Sequence, residues 1–395
     1  MSRDAATPAH ALTTPGSPAQ WNLTVQADDA LYIGLMSGTS MDGIDAALVG
    51  FQGNTPELLG STTHVIPADL RQRLLAVTAD TALSEYAELD AEMGDCLADA
   101  CLALIELTGV SRDKIEAIGS HGQTVWHAPE GAAANSLQIG DPNRIAERTG
   151  IPTVADLRRR DIVAGGQGAP LAPGFHEAFF GSDHPTAVVN LGGIANVSCL
   201  PGTTGQIITG FDTGPANVLM DTWAQSRFHR RYDAGGAIAA SGQINEAWLQ
   251  RLLEEPYLQR EPPKSTGREL FNARWLGQRL AYDEAPEQAQ DVMATLCAYT
   301  SRTVADAIRR WAPACRHVYL CGGGALNAHL RALLAEHLPG HQIRATSELG
   351  LDPEWVEAVG FAWLARERVE GRPANEPGVT GASKRVLLGA IYSGR

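Results

Sequence analysis

The stretch Tyr32-Ile-Gly-Leu-Met-Ser-Gly-Thr-Ser-Met-Asp-Gly-Ile-Asp-Ala-Ala-Leu-Val49 decides how the chain is read. Two apolar runs, Tyr32 to Met36 and Ile44 to Val49, have strand length and turn residues at their ends, which predicts a β-hairpin. A plain hairpin closes on two residues such as Asn-Gly. The connection here, Ser37 to Gly43, is longer and carries two glycines, three hydroxyls and Asp42. Successive backbone N–H groups with Ser and Thr hydroxyls form a concavity suited to phosphate. Asp42 and Asp45 suit Mg²⁺ held through its waters. A decorated hairpin loop is the competing reading of these residues alone.

Moving outward, Ala187 to Leu200 repeats the grammar: apolar run, Gly192-Gly193 turn, apolar run. Two such hairpins, each opening about half of the chain, predict a duplicated α/β architecture with a cleft between the halves. The expected division is a disordered leader at 1–29, an N-terminal domain at 30–180 and a C-terminal domain at 181–395. The leader is rich in Ala, Thr and Pro and lacks the basic start and apolar block of a signal peptide.

Between the hairpins, helices are predicted over 67–78 and 84–108, the latter with Ser84 as N-cap and Gly109 as stop. Strands follow at 114–118 and 137–139, then a helix from Pro142 with Asp141 as N-cap, then a strand at 153–155. The segment Ala155 to Leu171 reads as a loop, with Arg158-Arg-Arg160 between Asp156 and Asp161. In the second half Asp212 follows Ile207 and Ile208 and precedes Gly-Pro, which reads as a carboxylate between a strand end and a helix start. Such a group is placed for work on a phosphate or a proton, or else simply caps the helix. Lys264 and Arg268 flank two hydroxyls in a punctuated segment, and a helix is predicted over 291–311. A strand at 316–321 then enters Gly322-Gly-Gly-Ala-Leu-Asn327, the pattern that brings backbone close to an anionic ligand. The last helix, 353–366, carries Glu357.

Bulk properties narrow the function. The net charge of −14 argues against non-specific nucleic-acid binding and against adhesion to an anionic membrane. No apolar run approaches the roughly 20 residues of a spanning helix. The six cysteines are scattered without a CxxC pair, which suits a reducing cytoplasm and no zinc site. Glycine-and-polar loops at strand ends in both halves are what phosphoryl transfer needs, since its catalysis is mostly positioning and electrostatic stabilisation.

These motifs resemble the anhydro-N-acetylmuramic acid kinase family, within the superfamily of sugar kinases, actin and heat-shock ATPases. The likeness is carried by MSGTSMDGID (36–45), GSHGQTVWH (119–127), LQIGD (137–141), ADLRRRDIVAGGQGAPL (155–171), NLGGIANVS (190–198), GFDTGPANVLMD (210–221), PKSTGRE (263–269), CGGGALN (321–327) and VTGAS (379–383). Met41 and Leu157 stand where the family usually has Leu and Phe. The resemblance implies a two-domain, actin-like (ribonuclease H-like) ATPase with a central nucleotide cleft. It implies ATP and Mg²⁺ as cofactors, a cytoplasmic homodimer, and 1,6-anhydro-N-acetylmuramic acid, a cell-wall recycling sugar, as substrate. The family opens the anhydro bridge with water and phosphorylates O6. By resemblance Asp212 is the general base, and Gly38, Thr39, Ser40, Met41, Asp42, Gly43, Ile44 and Asp45 form the first ATP-phosphate loop. Gly192 and Gly193 form the second, and Gly322, Gly323, Gly324 and Asn327 the adenosine side. Arg159, chosen among Arg158 to Arg160, would meet the sugar or its lactyl carboxylate, with His121, Gln123 and Glu357 as further sugar contacts.

Overall fold

The structure is a computed structural model that describes residues 30–38, 41, 43–202, 208–280 and 289–394. The leader expected at 1–29, and Thr39, Ser40 and Asp42 of the first loop, lie outside the described residues. The opening stretch forms the predicted hairpin, strands β1 (Leu31–Ser37) and β2 (Gly43–Gln52), in antiparallel register with Met36 opposite Asp45. β3 (Thr55–Val65) adds a third antiparallel strand. β4 (Ile115–Ser120) then pairs parallel to β1, and the short hairpin β5 (Gln123–Ala128) and β6 (Asn135–Ile139) follows it. β7 (Thr153–Ala155) pairs parallel to β4.

The second half repeats this order. β8 (Thr186–Leu191), β9 (Ile194–Leu200) and β10 (Thr209–Pro215) form an antiparallel meander, and β11 (His317–Cys321) and β12 (Gln342–Ala345) extend it in parallel beside β8. The sheets run β13-β7-β4-β1-β2-β3 and β10-β9-β8-β11-β12, where β13 is Ala390–Tyr392. Each therefore contains three meandering strands, then two parallel ones on the far side of the first. That is the ribonuclease H-like order, present twice, so the chain has the duplicated, actin-like α/β architecture.

The chain's end returns to the first sheet. Helix Val356–Val369 lies across β1 and β4, and β13 closes the edge against β7. Glycine permits the helix contact. A Cβ on Gly34 of β1 would sit 1.8 Å from the Ala358 carbonyl oxygen, and one on Gly119 of β4 2.0 Å from that of Phe361. Backbone thus rests on backbone, and Glu357 is carried to the mouth of the first hairpin. Around this helix, Tyr32, Met36, Val188, Leu200, Cys321 and Phe175 join the two sheets in one buried cluster. Met41 and Ile44 face the other side of the first sheet, packing with Leu97 and Leu104 of helix Leu83–Thr108.

Most predicted elements are present, with local corrections. Helix Leu83–Thr108 starts after Ala82, so Ser84 lies inside the first turn and no side chain caps it. Asp141 does cap helix Pro142–Thr149, accepting from the Asn143 amide at 2.9 Å. The segment expected to be wholly loop contains one helical turn, Arg159–Val163. Asp212 lies within β10, paired with Asn196 of β9 just before a bulge, because the strand runs on through Thr213-Gly-Pro215. It caps no helix. The helix beyond, Asn217–Phe228, has its first amides taken by the Gly192 and Gly193 carbonyls at 3.0 Å.

Candidate active site

The candidate site is built around Asp212, which is buried within β10. The segment Lys264 to Thr266 runs beside β10, holding Asp212 from two sides. The Asp212 amide donates to the Lys264 carbonyl at 3.3 Å, and the Thr266 amide donates to Asp212 Oδ2 at 2.9 Å. The Tyr257 hydroxyl donates to the Asp212 carbonyl at 2.8 Å. Burial pushes the carboxyl up to about 7, against the pull of the Thr266 bond and the charges of Arg158 and Lys264. A buried carboxylate poised near neutrality, with one oxygen tethered, is equipped as a general base.

Lys264 is also buried. Its ammonium donates to the Leu258 carbonyl at 3.2 Å and lies 4.8 Å from the Tyr257 ring centre. Burial lowers it to about 8. It is therefore a fixed positive neighbour of the Asp212 site rather than a solvated loop residue.

The first half supplies the opposite wall. Arg158 donates to the Gly168 carbonyl at 2.8 Å and to His121 Nε2 at 2.9 Å, which leaves the His121 proton on Nδ1. Burial and the Arg158 charge lower His121 to about 3, so it is a neutral acceptor. The Arg158 guanidinium bears electrostatically on both Glu357 and Asp212. Glu357 is pushed up to about 7 by burial and by Asp45, while Arg158 and a hydrogen bond from Asn190 oppose that shift. Asp45 is itself raised by burial; it accepts from the Thr63 hydroxyl at 2.7 Å and feels Arg231 of the second half. Asp45, Glu357, Arg158, Asn190 and Asp212 thus form one electrostatic chain between the halves.

The remaining expected residues sit as follows. Gln123 Oε1 accepts from the buried Ser37 hydroxyl at 2.7 Å, tying β5 to the end of β1. Gly322 approaches so closely that a Cβ would lie 2.4 Å from Asn190 Oδ1, and a Cβ on Gly324 would meet Leu191 at 2.6 Å. Gly323 opens a single turn with no atom near its Cβ position. Asn327 caps helix Ala328–His337, accepting from the Leu330 amide at 3.0 Å. Met41 and Ile44 contribute backbone to the first loop while their side chains are core. Arg159 is held on Asp156 by two bonds of 2.6 Å. It lines an outer groove with Arg160, Val163 and Arg368, whereas the Arg158 guanidinium is held on Gly168 and His121.

The sequence model of the anhydro-N-acetylmuramic acid kinase family matches residues 30–394. The chain belongs to that family. A protein named anhydro-N-acetylmuramic acid kinase from Xanthomonas oryzae pv. oryzae is 52% identical over 372 residues, covering 92% of this chain and 98% of the relative. Proteins of the same name from Xylella fastidiosa and Shewanella pealeana are 48% and 47% identical, covering 92% and 91% of this chain and 96% and 98% of their own lengths. Membership of the anhydro-N-acetylmuramic acid kinase family makes the chain an enzyme of sugar phosphorylation. Among the described residues, no helix is long and apolar enough to cross a membrane.

Proposed function

We propose that this protein uses ATP to phosphorylate 1,6-anhydro-N-acetylmuramic acid at O6 while water opens the anhydro bridge, giving N-acetylmuramate 6-phosphate and ADP in cell-wall recycling. The observation that carries this reading is Asp212, buried in β10 with one carboxylate oxygen held by the Thr266 amide and the carboxyl raised to about 7 by that burial. An anhydro sugar has no free O6 hydroxyl, so a kinase base has nothing to deprotonate there. A base directed at water solves this. Asp212 takes a proton from water as its oxygen bonds to C1, and the C1–O6 bond breaks. O6 then attacks the γ-phosphorus as its bond to the β,γ-bridging oxygen breaks, and ADP leaves.

Arg158, desolvated and already oriented by Gly168 and His121, is the cation for the sugar's lactyl carboxylate, a match of planar groups. The first hairpin turn holds the phosphates. Among the described residues no three His, Cys, Asp or Glu side chains converge as a metal site. Burial nevertheless raises the carboxyls of Asp45, Glu357 and Glu354, and the Asp45 charge adds to the rise of the other two. That environment fits a cation held largely through water, as Mg²⁺ prefers. When bound, Mg²⁺ supplies neutralisation of the phosphate charge. A homodimer in the cytoplasm completes the reading.

Incubation with ATP, Mg²⁺ and the anhydro sugar in ¹⁸O-water tests it. Label at C1 together with phosphate on O6 is the expected product. ATP binding without sugar turnover would favour a nucleotide-dependent switch, and turnover of a different amino sugar would reassign the substrate.

A further inference from the structure

Asp161 is fully buried and, among the described residues, has no cationic partner in hydrogen-bond contact, yet three donors meet its carboxylate. The Gly168 amide donates to Oδ2 at 2.8 Å, and Asn375 Nδ2 and the Thr380 hydroxyl each donate to Oδ1 at 2.8 Å. Gly166 lies against Oδ2 so closely that a Cβ there would be 2.2 Å away. Such a cradle offsets the cost of burying the charge. It also binds the Arg-rich segment to the VTGAS segment, with the Gln167 amide donating to the Thr380 carbonyl at 2.9 Å and the Ser383 amide to the Ala164 carbonyl at 2.8 Å. The Gly168 residue has two faces. Its amide is held by Asp161, and its carbonyl accepts from Arg158.

We propose that Asp161 is a positioning residue for the reaction: it fixes Gly168, and Gly168 fixes the guanidinium of Arg158 against His121 and the sugar. This role rests on the reading of Arg158 as the sugar's cation. Asn375 and Thr380 hold the other carboxylate oxygen, Oδ1, and their part is to anchor the segment rather than to orient Gly168.

The test is kinetics and melting of the full-length chain carrying Asp161→Asn, Gly168→Ala or Thr380→Val. An Asn at 161 has one oxygen, which serves either Gly168 or the Asn375–Thr380 pair. Gly168 has φ +66°, and a Cβ there would lie 2.9 Å from Ile162, so Ala displaces the same residue while leaving the carboxylate intact. Displacing a positioning contact by about 1 Å costs up to about 100-fold. Asp161→Asn and Gly168→Ala are expected to raise KM for the anhydro sugar about 10- to 100-fold, with KM for ATP within about twofold. Both should also move the acid limb of kcat/KM to higher pH, because Arg158 holds Asp212 down. The other charged groups bearing on Asp212 are Lys264 and Glu269, and neither variant touches them. Thr380→Val leaves the Gly168 bond in place and is expected to lower the melting temperature without moving sugar KM or the limb. A folded Asp161→Asn with wild-type sugar KM and limb would overturn the role. If that variant does not fold, an unchanged sugar KM in Gly168→Ala overturns it instead. Absence of sugar turnover by the wild type would sink the substrate assignment, and this role with it.

Discussion

Asp212 and Thr266 are joined by a 2.9 Å bond from the Thr266 amide to one carboxylate oxygen, which leaves the other oxygen to act. Asp212→Asn keeps an oxygen for that amide and the size of the side chain, but it cannot take a proton from water. General-base catalysis contributes about 10²- to 10⁴-fold, so turnover is expected to fall by at least about 10²-fold. ATP binding, measured by calorimetry, is expected to persist. Residual turnover within tenfold of wild type would remove Asp212 from the base role.

With Asp212 as the proposed base, its raised carboxyl is expected to set the acid side of the pH profile. The base acts only when ionised, and in the free enzyme it loses its proton near 7. The profile of kcat/KM is therefore expected to fall about tenfold per pH unit below that value. An acid limb centred near pH 4 would show that the carboxyl titrates at the ordinary position and is not desolvated as the fold implies.

The same shift predicts a stability effect of the opposite sense. The folded-state pKa of about 7 lies above the ordinary 3.8, so between those values the native state holds more protons than the unfolded chain. Stability from this group is lost as pH rises from about 4 to about 7, at roughly 1.4 kcal/mol per pH unit. Asp212→Asn is expected to melt higher than wild type at pH 8 and about equal to it at pH 4.5. Glu357→Gln should behave likewise, since Glu357 is also raised to about 7. Melting curves at the two pH values decide this, and a variant that is destabilised at pH 8 would contradict it.

Neighbouring arginines are expected to differ. Arg158→Ala removes the guanidinium whose charge bears on both Glu357 and Asp212 and leaves His121 Nε2 without its donor. Losing a charge-assisted contact costs about 1.5–3 kcal/mol, so kcat/KM for the sugar is expected to fall at least about tenfold. Arg159→Ala breaks only the half-exposed pair with Asp156. Such pairs are worth about 0–1 kcal/mol, and kinetics should stay within about twofold. Equal losses in the two variants would mean that the loop moves as a unit and that the direction of the side chain is unimportant.

How much of this was legible in the sequence depends on range. Both hairpins were readable because alternation, strand length and turn residues are local signals, and the repeat of the unit predicted the duplicated sheets. Asp212 was recognisable as a candidate, but Gly-Pro after it signalled a helix start, whereas β10 pairing with β9 carries the strand through to Pro215. Arg158 and Arg159 could not be separated by type or charge. The helical turn beginning at Arg159 sends them to different surroundings, and Asp161 in that turn is buried against residues far away in sequence. The surroundings of Lys264 were not readable because its cover, Phe211 and Tyr257, comes from distant elements. Glycine motifs marked close approach without saying what approaches. Gly322 meets Asn190, while Gly192 and Gly193 serve the start of the next helix with their carbonyls.

Gly34 tests whether the site depends on the return of the chain to the first sheet. It sits in the middle of β1, where any side chain would collide with the Ala358 carbonyl oxygen at 1.8 Å and the Ala362 amide at 2.7 Å. Neither atom is the end of a flexible side chain, so helix Val356–Val369 must lift. Overpacking of this kind costs about 1–3 kcal/mol or more, and Gly34→Ala is expected to lower the melting temperature by several degrees. The helix carries Glu357 in its first turn, one residue from the contact. Lifting it withdraws Glu357 from Asp45 and Arg158, so the variant is expected to lose activity even at temperatures where it stays folded. Wild-type kinetics in a folded Gly34→Ala would show that the position of Glu357 is not fixed by this contact.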